Sequence, residues 1–309
     1  MILTITLNPA VDRTIVVETF EIDKVNRVSQ LRRDIGGKGL NVTKTIRAMG
    51  GSSKALLVLG GENGKYILEK SISEGLNIES FEIDGDTREN IKIVDPIHGT
   101  FTDVNEPGPV LSNHQKAGLI ERIQNNLELN DWLVISGSSP SGIDEEFYQS
   151  IFEDAKLKNV KIIADVNGKQ LSNILKFKPY LIKPNIDELA DLFEEKITSK
   201  TQAIAYARKV IEQGVEVVVV SLGSEGLLWV TKETALFANA LKVDVKSTVG
   251  AGDAIVAGLT WSLSQNLLAE DVMKNAVAAA TCVITTEGTN TGEMEMFKTY
   301  RDLVFITSL

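Results

Sequence analysis

The sequence has few of the residues on which several classes of protein depend. Of its 309 residues, one is cysteine, Cys282, and two are histidine. A single cysteine excludes an internal disulfide and favours the reducing cytosol as the place where the protein works. The two histidines, His98 and His114, lie in polar, loop-like segments, so they support neither a serine–histidine nucleophile nor a cluster of metal ligands.

Positive charge and long apolar runs are also scarce. Lys and Arg number 32 against 42 Asp and Glu, which gives a formal net charge of −10. That balance argues against nucleic acid and anionic membranes as partners. No apolar run approaches the roughly 18 residues of a membrane span, and the N-terminus has no basic region followed by an apolar signal segment. We therefore expect a cytoplasmic protein without a membrane partner.

The two commonest nucleotide-binding motifs are missing as well. The sequence contains no Gly-x-x-x-x-Gly-Lys-Ser/Thr and no Gly-x-Gly-x-x-Gly. The second absence argues against a nicotinamide-dependent dehydrogenase. Any use of ATP must therefore depend on a different loop.

Short apolar segments and helical patterns alternate along most of the chain. Strand-like runs occupy residues 132–136, 160–164, 180–183 and 215–221, and helical patterns occupy 144–157, 187–194, 201–213 and 269–285. Residues 217–220 are all valine, as expected of a parallel strand covered on both faces. The alternation predicts an α/β fold, with a doubly wound, mostly parallel sheet flanked by helices. Ligands of such sheets bind outside the carboxyl ends of the strands.

Two segments break this alternation. Residues 11–33 and about 87–106 alternate polar and apolar side chains without a helical period. We interpret them as antiparallel strands inserted into the α/β body. The body itself would then comprise residues 1–10, 34–86 and 107–309.

A glycine-containing turn near residue 250 is the clearest candidate for chemistry. Residues 247–253 (Ser-Thr-Val-Gly-Ala-Gly-Asp) follow the alternating run 241–245, which predicts a strand, and precede an apolar helical run. Gly250 and Gly252 allow a close approach to a ligand, and a helix that starts there favours an anion. Asp253 then stands where a base would accept the proton of a hydroxyl that attacks a phosphoryl group. Taken alone, the segment is equally typical of a glycine turn with an Asp that stabilises a helix start.

Three other motifs favour the chemical interpretation. Residues 7–12 read Leu-Asn-Pro-Ala-Val-Asp, residues 36–42 read Gly-Gly-Lys-Gly-Leu-Asn-Val, and residues 183–189 read Lys-Pro-Asn-Ile-Asp-Glu-Leu. Each has an ordinary structural explanation, as turn chemistry, a strand–helix turn and a capped helix start respectively. In this order, together with residues 247–253, they resemble the PfkB carbohydrate kinase family over about residues 1–290.

The resemblance implies a ribokinase-like fold and an ATP-dependent sugar-phosphate kinase that uses Mg²⁺. It also implies that residues 11–33 and 87–106 form a small β-sheet lid that covers the sugar and contacts a second subunit in a homodimer. Within the family, residues 7–12, 87–92 (Thr-Arg-Glu-Asn-Ile-Lys) and 105–109 (Asn-Glu-Pro-Gly-Pro) most resemble the members that phosphorylate fructose 1-phosphate, which implies that sugar as the acceptor. Tagatose 6-phosphate remains open as an alternative acceptor. A sugar-phosphate-binding regulator without catalysis is a third reading, against which the presence of Asp253 counts.

The resemblance further implies roles for individual residues. Asp253 is the expected general base, and the backbone amides of Gly250, Ala251 and Gly252 are expected to hold the developing charge. The candidates for binding the sugar phosphate are Asp12, Gly37, Lys38, Gly39, Asn41, Arg88, Ser136 and, reaching across from a partner subunit, Arg27. The candidates for binding the nucleotide are Lys183, Asn185, Ser221, Ser224, Gly226, Thr248 and Asn275. Asn185 and Glu188 are the expected metal ligands.

Two positions depart from the family pattern. Ala254 stands where members often have Ser, and Asn167 stands where members usually have Ser. Neither change removes a proposed catalytic group, so we expect catalysis to survive both.

Overall fold

A computed structural model describes residues 1–166, 168–286 and 291–309, so the prediction about Asn167 falls outside the described residues. The strands are β1 Ile2–Thr6, β2 Ala10–Val16, β3 Gln30–Gly36, β4 Lys54–Leu59, β5 Ile78–Glu82, β6 Arg88–Asp95, β7 Thr100–Asn105, β8 Trp132–Ser136, β9 Lys161–Asp165, β10 Leu181–Ile182, β11 Val217–Ser221, β12 Gly226–Val230, β13 Ala235–Asn239 and β14 Ile306–Ser308. The α-helices are α1 Lys38–Ala48, α2 Gly61–Ser73, α3 Asn113–Asn125, α4 Glu145–Leu157, α5 Gly168–Leu175, α6 Ile186–Asp191, α7 Lys200–Glu212, α8 Ala251–Ser264, α9 Ala269–Ile284 and α10 Met294–Asp302.

Ten strands form one large sheet, in the order β14-β13-β12-β11-β10-β9-β8-β1-β4-β5. Every neighbouring pair from β11 to β5 is parallel, and the three pairs from β11 to β14 are antiparallel. The predicted fold class, a mostly parallel sheet flanked by helices, is therefore confirmed.

Helices cover both faces of the large sheet. On one face, α4 contributes Phe147 to an apolar cluster that includes Leu3 of β1. On the other face, α8 contributes Val256 to a separate cluster that includes Ile2. Ile2 and Leu3 are adjacent in β1 and point to opposite faces of the sheet. Both are buried because helices cover both faces, as the continuous apolar runs predicted. Burial of this apolar surface stabilises the fold by roughly 25 cal/mol per Å². None of the helices in the described ranges is long and apolar enough to cross a lipid bilayer.

The alternating residues 241–245 do not form the predicted strand. After β13 the chain leaves the sheet, and the amides of Lys246 and Ser247 donate to the carbonyl oxygen of Ile284, at 2.8 and 3.3 Å. The alternation there reflects an extended segment, half-buried at Leu241 and Val243, that ends against α9.

A second, small sheet has the strand order β3-β2-β6-β7. The pairs β2–β3 and β6–β7 are antiparallel, as predicted, but the central pair β2–β6 is parallel. The reason is topological: β1 and β5 are parallel strands of the large sheet, and the chain leaves both at the same edge, so β2 and β6 start side by side. This register pairs Ala10 with Arg88 and Asp12 with Asn90.

Candidate active site

A cleft of about 460 Å³ lies at the carboxyl edge of the parallel strands and has walls from both sheets. Its lining residues are Ala10, Asp12, Gly37, Lys38, Asn41, Arg88, Asn90, Asp165, Lys183, Asn185, Glu188, Ser221, Val249, Gly250, Gly252 and Asp253. The cleft therefore brings together residues of all four motifs, which are far apart in the sequence.

Asp253 stands at the start of α8, on the wall of the cleft. The helix begins at Ala251 because Gly250 adopts a left-handed conformation, with φ of 81°, that turns the chain into the helix. The Asp253 side chain is buried, and the Asn41 amide donates a hydrogen bond to its Oδ2 at 2.8 Å. Burial and the nearby charge of Asp165 together raise the pKa of Asp253 to about 7. A carboxyl group with that pKa is suited to accept a proton near neutral pH.

Asp165, the last residue of β9, holds two cations at the floor of the cleft. Lys183 Nζ lies 3.1 Å from its Oδ1, and Lys38 Nζ lies 3.4 Å from its Oδ2. The hydroxyl of Ser136 also donates to Oδ2, at 3.3 Å. Burial acts to raise the pKa of Asp165, but the two lysines hold it below its usual range. The carboxylate therefore stays ionised and fixes both ammonium groups beside the cleft.

Lys38 remains charged in this surrounding. Burial acts to lower the pKa of its ammonium group, but the carboxylates of Asp165, Asp253 and Glu188 raise it above the usual value. Together with Lys183 it places two cations on the lining of the cleft, which suits an anionic ligand.

Asp12 and Asn90 form the side of the cleft contributed by the small sheet. Asn90 donates its amide to Asp12 Oδ1 at 3.0 Å, a contact that depends on the parallel register of β2 and β6. Burial raises the pKa of Asp12. Gly36 packs directly against this carboxylate, since a Cβ atom there would lie 2.0 Å from Asp12 Oδ2. The second glycine loop is thus needed to leave room for Asp12.

The guanidinium group of Arg88 is held at the same side of the cleft. Its Nε and Nη2 donate to the carbonyl oxygen of Asn8, at 3.2 and 3.0 Å, and its Nη1 donates to the carbonyl oxygen of Glu106, at 3.1 Å. Burial lowers the pKa of Arg88, but a guanidinium group stays protonated in proteins. The backbone contacts fix the direction of this cation.

Asn185 and Glu188 form a capping box at the start of α6. The Asn185 side-chain oxygen accepts from the backbone amide of Glu188, and Glu188 Oε2 accepts from the backbone amide of Asn185, both at 2.8 Å. The cap uses one oxygen of the Glu188 carboxylate and leaves the other for a ligand. Within the described ranges, no three acidic, His or Cys side chains are grouped to hold a metal ion. The single Glu188 carboxylate, with Asn185 beside it, nevertheless fits Mg²⁺, because this ion keeps several waters and needs only one or two carboxylates beside the phosphates of a substrate.

The comparison with known proteins decides the family. The sequence model of the pfkB family carbohydrate kinases matches residues 5–296, nearly the whole chain. The chain belongs to the pfkB family of carbohydrate kinases. As a member of that family it is a phosphotransferase with a hydroxyl acceptor, and a sugar kinase of this family uses ATP with a divalent cation.

Individual relatives cover nearly the whole of this pfkB kinase. It is 36% identical over 293 residues to the 1-phosphofructokinase of Bacillus subtilis, covering 95% of each chain. It is 38% identical over 282 residues to the 1-phosphofructokinase of Borreliella burgdorferi, covering 91% of each. The structure of phosphofructokinase-2 from Escherichia coli in complex with fructose-6-phosphate has a TM-score of 0.91 to it, with 27% identity and 98% of each chain covered.

Several predicted site residues of the pfkB kinase do not line the cleft. Gly39 packs its α-carbon against the backbone of β1, Ala251 is the first residue of α8, and Ser136 lies beneath Asp165. Gly226 is buried against β13, where a Cβ atom would lie 2.0 Å from the carbonyl oxygen of Ala238. Its glycine is therefore explained by strand packing.

Three other predicted residues, Ser224, Thr248 and Arg27, are exposed. Ser224 and Thr248 lie on loops, whereas the predicted residue Ser221, which ends β11, lines the cleft. Arg27 is exposed in the segment between β2 and β3. The roles of Ser224, Thr248 and Arg27 stay predictions.

The structure contradicts the expectation that Asn275 lines an adenine pocket. Asn275 is buried. Its side-chain Nδ2 donates to the hydroxyl of Ser262 at 2.8 Å, and its side-chain Oδ1 accepts from Arg301 at 2.8 Å. Ser262 is nine residues beyond Asp253 on α8, roughly 13 Å along the helix axis. The antiparallel packing of α9 on α8 therefore places Asn275 at the far end of the helix pair, where it joins α8 to α10.

Two cleft residues with chemical side chains were not among the predicted site residues. Asp165 ends a parallel strand at the ligand-binding edge, so the rule that places ligands at strand carboxyl ends could have found it. Asn90 reaches the cleft only through the parallel pairing of β2 with β6. The sequence interpretation assumed antiparallel strands there, so it gave no signal for Asn90.

Proposed function

We propose that this kinase transfers the γ-phosphoryl group of ATP to the C6 hydroxyl of fructose 1-phosphate, giving fructose 1,6-bisphosphate and ADP. The observation that carries the proposal is that Asp253 is a buried carboxyl group, with a pKa of about 7, in the first turn of the helix that begins after the left-handed Gly250. The choice of fructose 1-phosphate is supported by the two relatives named 1-phosphofructokinase.

In this mechanism Asp253 accepts the proton of the attacking hydroxyl. The amide of Asn41 orients the Asp253 carboxylate, because it donates to the Oδ2 atom at 2.8 Å. The backbone amides of Gly250, Ala251 and Gly252 stabilise the negative charge that develops on the transferred group. Positioning and charge stabilisation are most of what phosphoryl transfer requires of a protein.

The cations and polar groups around the cleft divide between the two substrates. Arg88 and Lys38 bind the phosphate of the sugar, while Asp12 accepts hydrogen bonds from sugar hydroxyls. Lys183 faces the phosphates of ATP. Asn185 and Glu188 would hold Mg²⁺, through water or directly, and the ion would supply positive charge beside those phosphates.

The small sheet (β2, β3, β6 and β7) serves as a lid and as the contact of a homodimer. Apolar side chains on its strands support the dimer: Phe101 is 69% exposed, and Val104 and Leu31 are each 53% exposed. Closure of the lid over the sugar excludes water and so limits the hydrolysis of ATP. We also propose a cytoplasmic location, in keeping with the single, unpaired Cys282.

The test is ADP release from Mg-ATP, measured with fructose 1-phosphate, tagatose 6-phosphate and fructose 6-phosphate in parallel. We expect kcat/KM for fructose 1-phosphate to exceed the others by about tenfold or more, or about 1.4 kcal/mol. A preference for tagatose 6-phosphate would leave the base and the ATP site standing and would overturn the choice of sugar. ATP binding without turnover of any of the three would overturn the proposed reaction.

A further inference from the structure

Lys44 is a buried cation that the proposed reaction does not use. It lies on α1, and its side chain is 9% exposed. Burial lowers the pKa of its ammonium group, even though nearby carboxylates act in the opposite direction. Lysine is rarely buried unless it is paired, because removing an ammonium group from water is costly. A side chain kept there at such a cost requires a reason.

The ammonium group of Lys44 connects three elements. Its Nζ donates to the carbonyl oxygen of Ile35, at the end of β3, at 3.2 Å. Its Nζ also lies 3.7 Å from Oε2 of Glu74, the C-cap residue that follows α2. Asp34 and Asp12 are near enough to act on its charge. One cation thus joins the small sheet to α1 and α2.

The Ile35 carbonyl belongs to the junction where the small sheet returns to the body of the protein. Gly36 follows it and lies against the Asp12 carboxylate, as the 2.0 Å approach of a Cβ atom to Oδ2 shows. Gly37 then turns into α1, with φ of 136°. A hydrogen bond that fixes the Ile35 peptide therefore also fixes the surface against which Asp12 rests.

A second connection of the small sheet is held in a comparable way. The hydroxyl of Thr87, just before β6, accepts from the Gly60 amide, and the Thr87 amide donates to the Gly60 carbonyl, both at 2.9 Å. The entry to β6 is thus fixed by neutral groups, whereas the exit from β3 is fixed by a charged one. The carboxylates of Asp34 and Asp12 are also near enough to interact with the charge of Lys44.

We infer that Lys44 is a positioning residue for the sugar end of the cleft: its ammonium group holds the Ile35–Gly37 junction in place, and through Gly36 it holds Asp12 in the geometry that receives sugar hydroxyls. Small displacements of a binding group weaken an oriented site strongly. The inference rests on the proposed function for the identity of the sugar phosphate, but not for the contact itself.

The kinetic test compares Lys44→Met and Lys44→Arg with Lys54→Met. Lys54 is a comparable control because it is partly buried and, like Lys44, pairs with a glutamate, here Glu79, and does not line the cleft. We expect Lys44→Met to raise KM for fructose 1-phosphate about tenfold or more, with kcat and KM for ATP changed less than about threefold. Lys44→Arg should restore KM to within about threefold of the wild type, and Lys54→Met should change neither KM. An unchanged KM for the sugar phosphate in Lys44→Met, or an equal rise in both KM values, would overturn the inference.

A second measurement separates this inference from the proposed function. Hydrogen exchange of the ligand-free proteins should show Gly36 and Gly37 amides that exchange about tenfold faster in Lys44→Met than in the wild type, with protection restored in Lys44→Arg. Equal protection in all three proteins would overturn the inference whatever the substrate is. If the wild type does not phosphorylate fructose 1-phosphate, the proposed function fails while the exchange data still decide the role of Lys44. Should Lys44→Met not fold, Lys44→Gln takes its place under the same criteria.

Discussion

Asp253 is a carboxyl group in surroundings that oppose its ionisation. It is buried, and Asp165 adds a like charge, so its pKa rises to about 7 although Asn41, Lys38 and Lys183 favour the charged form. We expect Asp253→Asn to lower kcat by about a thousandfold or more, with small changes in both KM values, because the base acts only in the transition state. Initial rates at saturating ATP and sugar phosphate provide the measurement. A kcat near that of the wild type would show that another group accepts the proton.

The pH dependence of the wild type should report the same group. Since the carboxylate form is the base, kcat/KM should rise with pH below about 7 and level off above it. Asp165→Asn removes the like charge and leaves both lysines without their carboxylate, so the midpoint of this rise should move to lower pH by about one unit. Ser136→Ala is the matched control, because Ser136 bonds to the same carboxylate without carrying charge. Identical midpoints in all three proteins would exclude electrostatic control by Asp165.

At the scale of elements, the start of α8 depends on the left-handed conformation of Gly250. Alanine at this position would strain the turn by about 1–2 kcal/mol and would move the amides that face the cleft. Gly223 offers a comparison: it also has positive φ, at 58°, but an added Cβ atom would meet nothing within 4 Å and the residue does not line the cleft.

We expect Gly250→Ala and Gly223→Ala to lose similar stability, while only Gly250→Ala loses kcat, by about tenfold or more. Urea denaturation and steady-state kinetics of the two variants would check this. Equal kcat in both would mean that the Gly250 turn shapes the helix start without taking part in the reaction.

The elements also show what the sequence could and could not predict. The strand at 132–136 has the predicted bounds, because a fully apolar run between polar residues admits one interpretation. Residues 241–245 alternate as a strand would, but the chain leaves the sheet there, and the amides of Lys246 and Ser247 donate to the end of α9. Periodicity contains no information about the hydrogen-bond partner. The parallel pairing of β2 with β6 likewise depends on where β1 and β5 lie in the large sheet, which no local pattern reveals.

The same distinction applies to the site. That Gly250, Asp253 and Lys38 line the cleft was predictable, because glycine turns before helices have a local signature. Asn275 was misplaced because a polar residue on an apolar helix shows that it needs a partner, but not which end of the helix pair supplies one. Its partners, Ser262 and Arg301, lie on two other helices.

At the scale of the whole molecule, the stability of the fold should depend on the ionisation of Asp253. The folded state raises the pKa from the ordinary 3.8 to about 7, so it binds this proton more tightly than the unfolded chain does. The associated stability is complete below about pH 4 and is lost as pH rises through 7. Asp253→Asn has no such loss. Between pH 5 and pH 8 the free energy of unfolding of the wild type should therefore fall, relative to that of Asp253→Asn, by on the order of a few kcal/mol. The melting temperature of Asp253→Asn should accordingly exceed that of the wild type by more at pH 8 than at pH 5. A difference in melting temperature between the two proteins that stays the same from pH 5 to pH 8 would contradict this.

The hydrogen bond from Asn41 to Asp253 joins residues 212 positions apart in the chain. Contacts of such long range form only after the intervening chain has been ordered, since the entropy of closing so large a loop must be overcome first. Competence to bind both substrates should therefore be the last property recovered when the protein refolds from denaturant, later than its secondary structure. A ribosome-bound chain that lacks α8 should likewise be inert towards its substrates, however much of the large sheet it has already built.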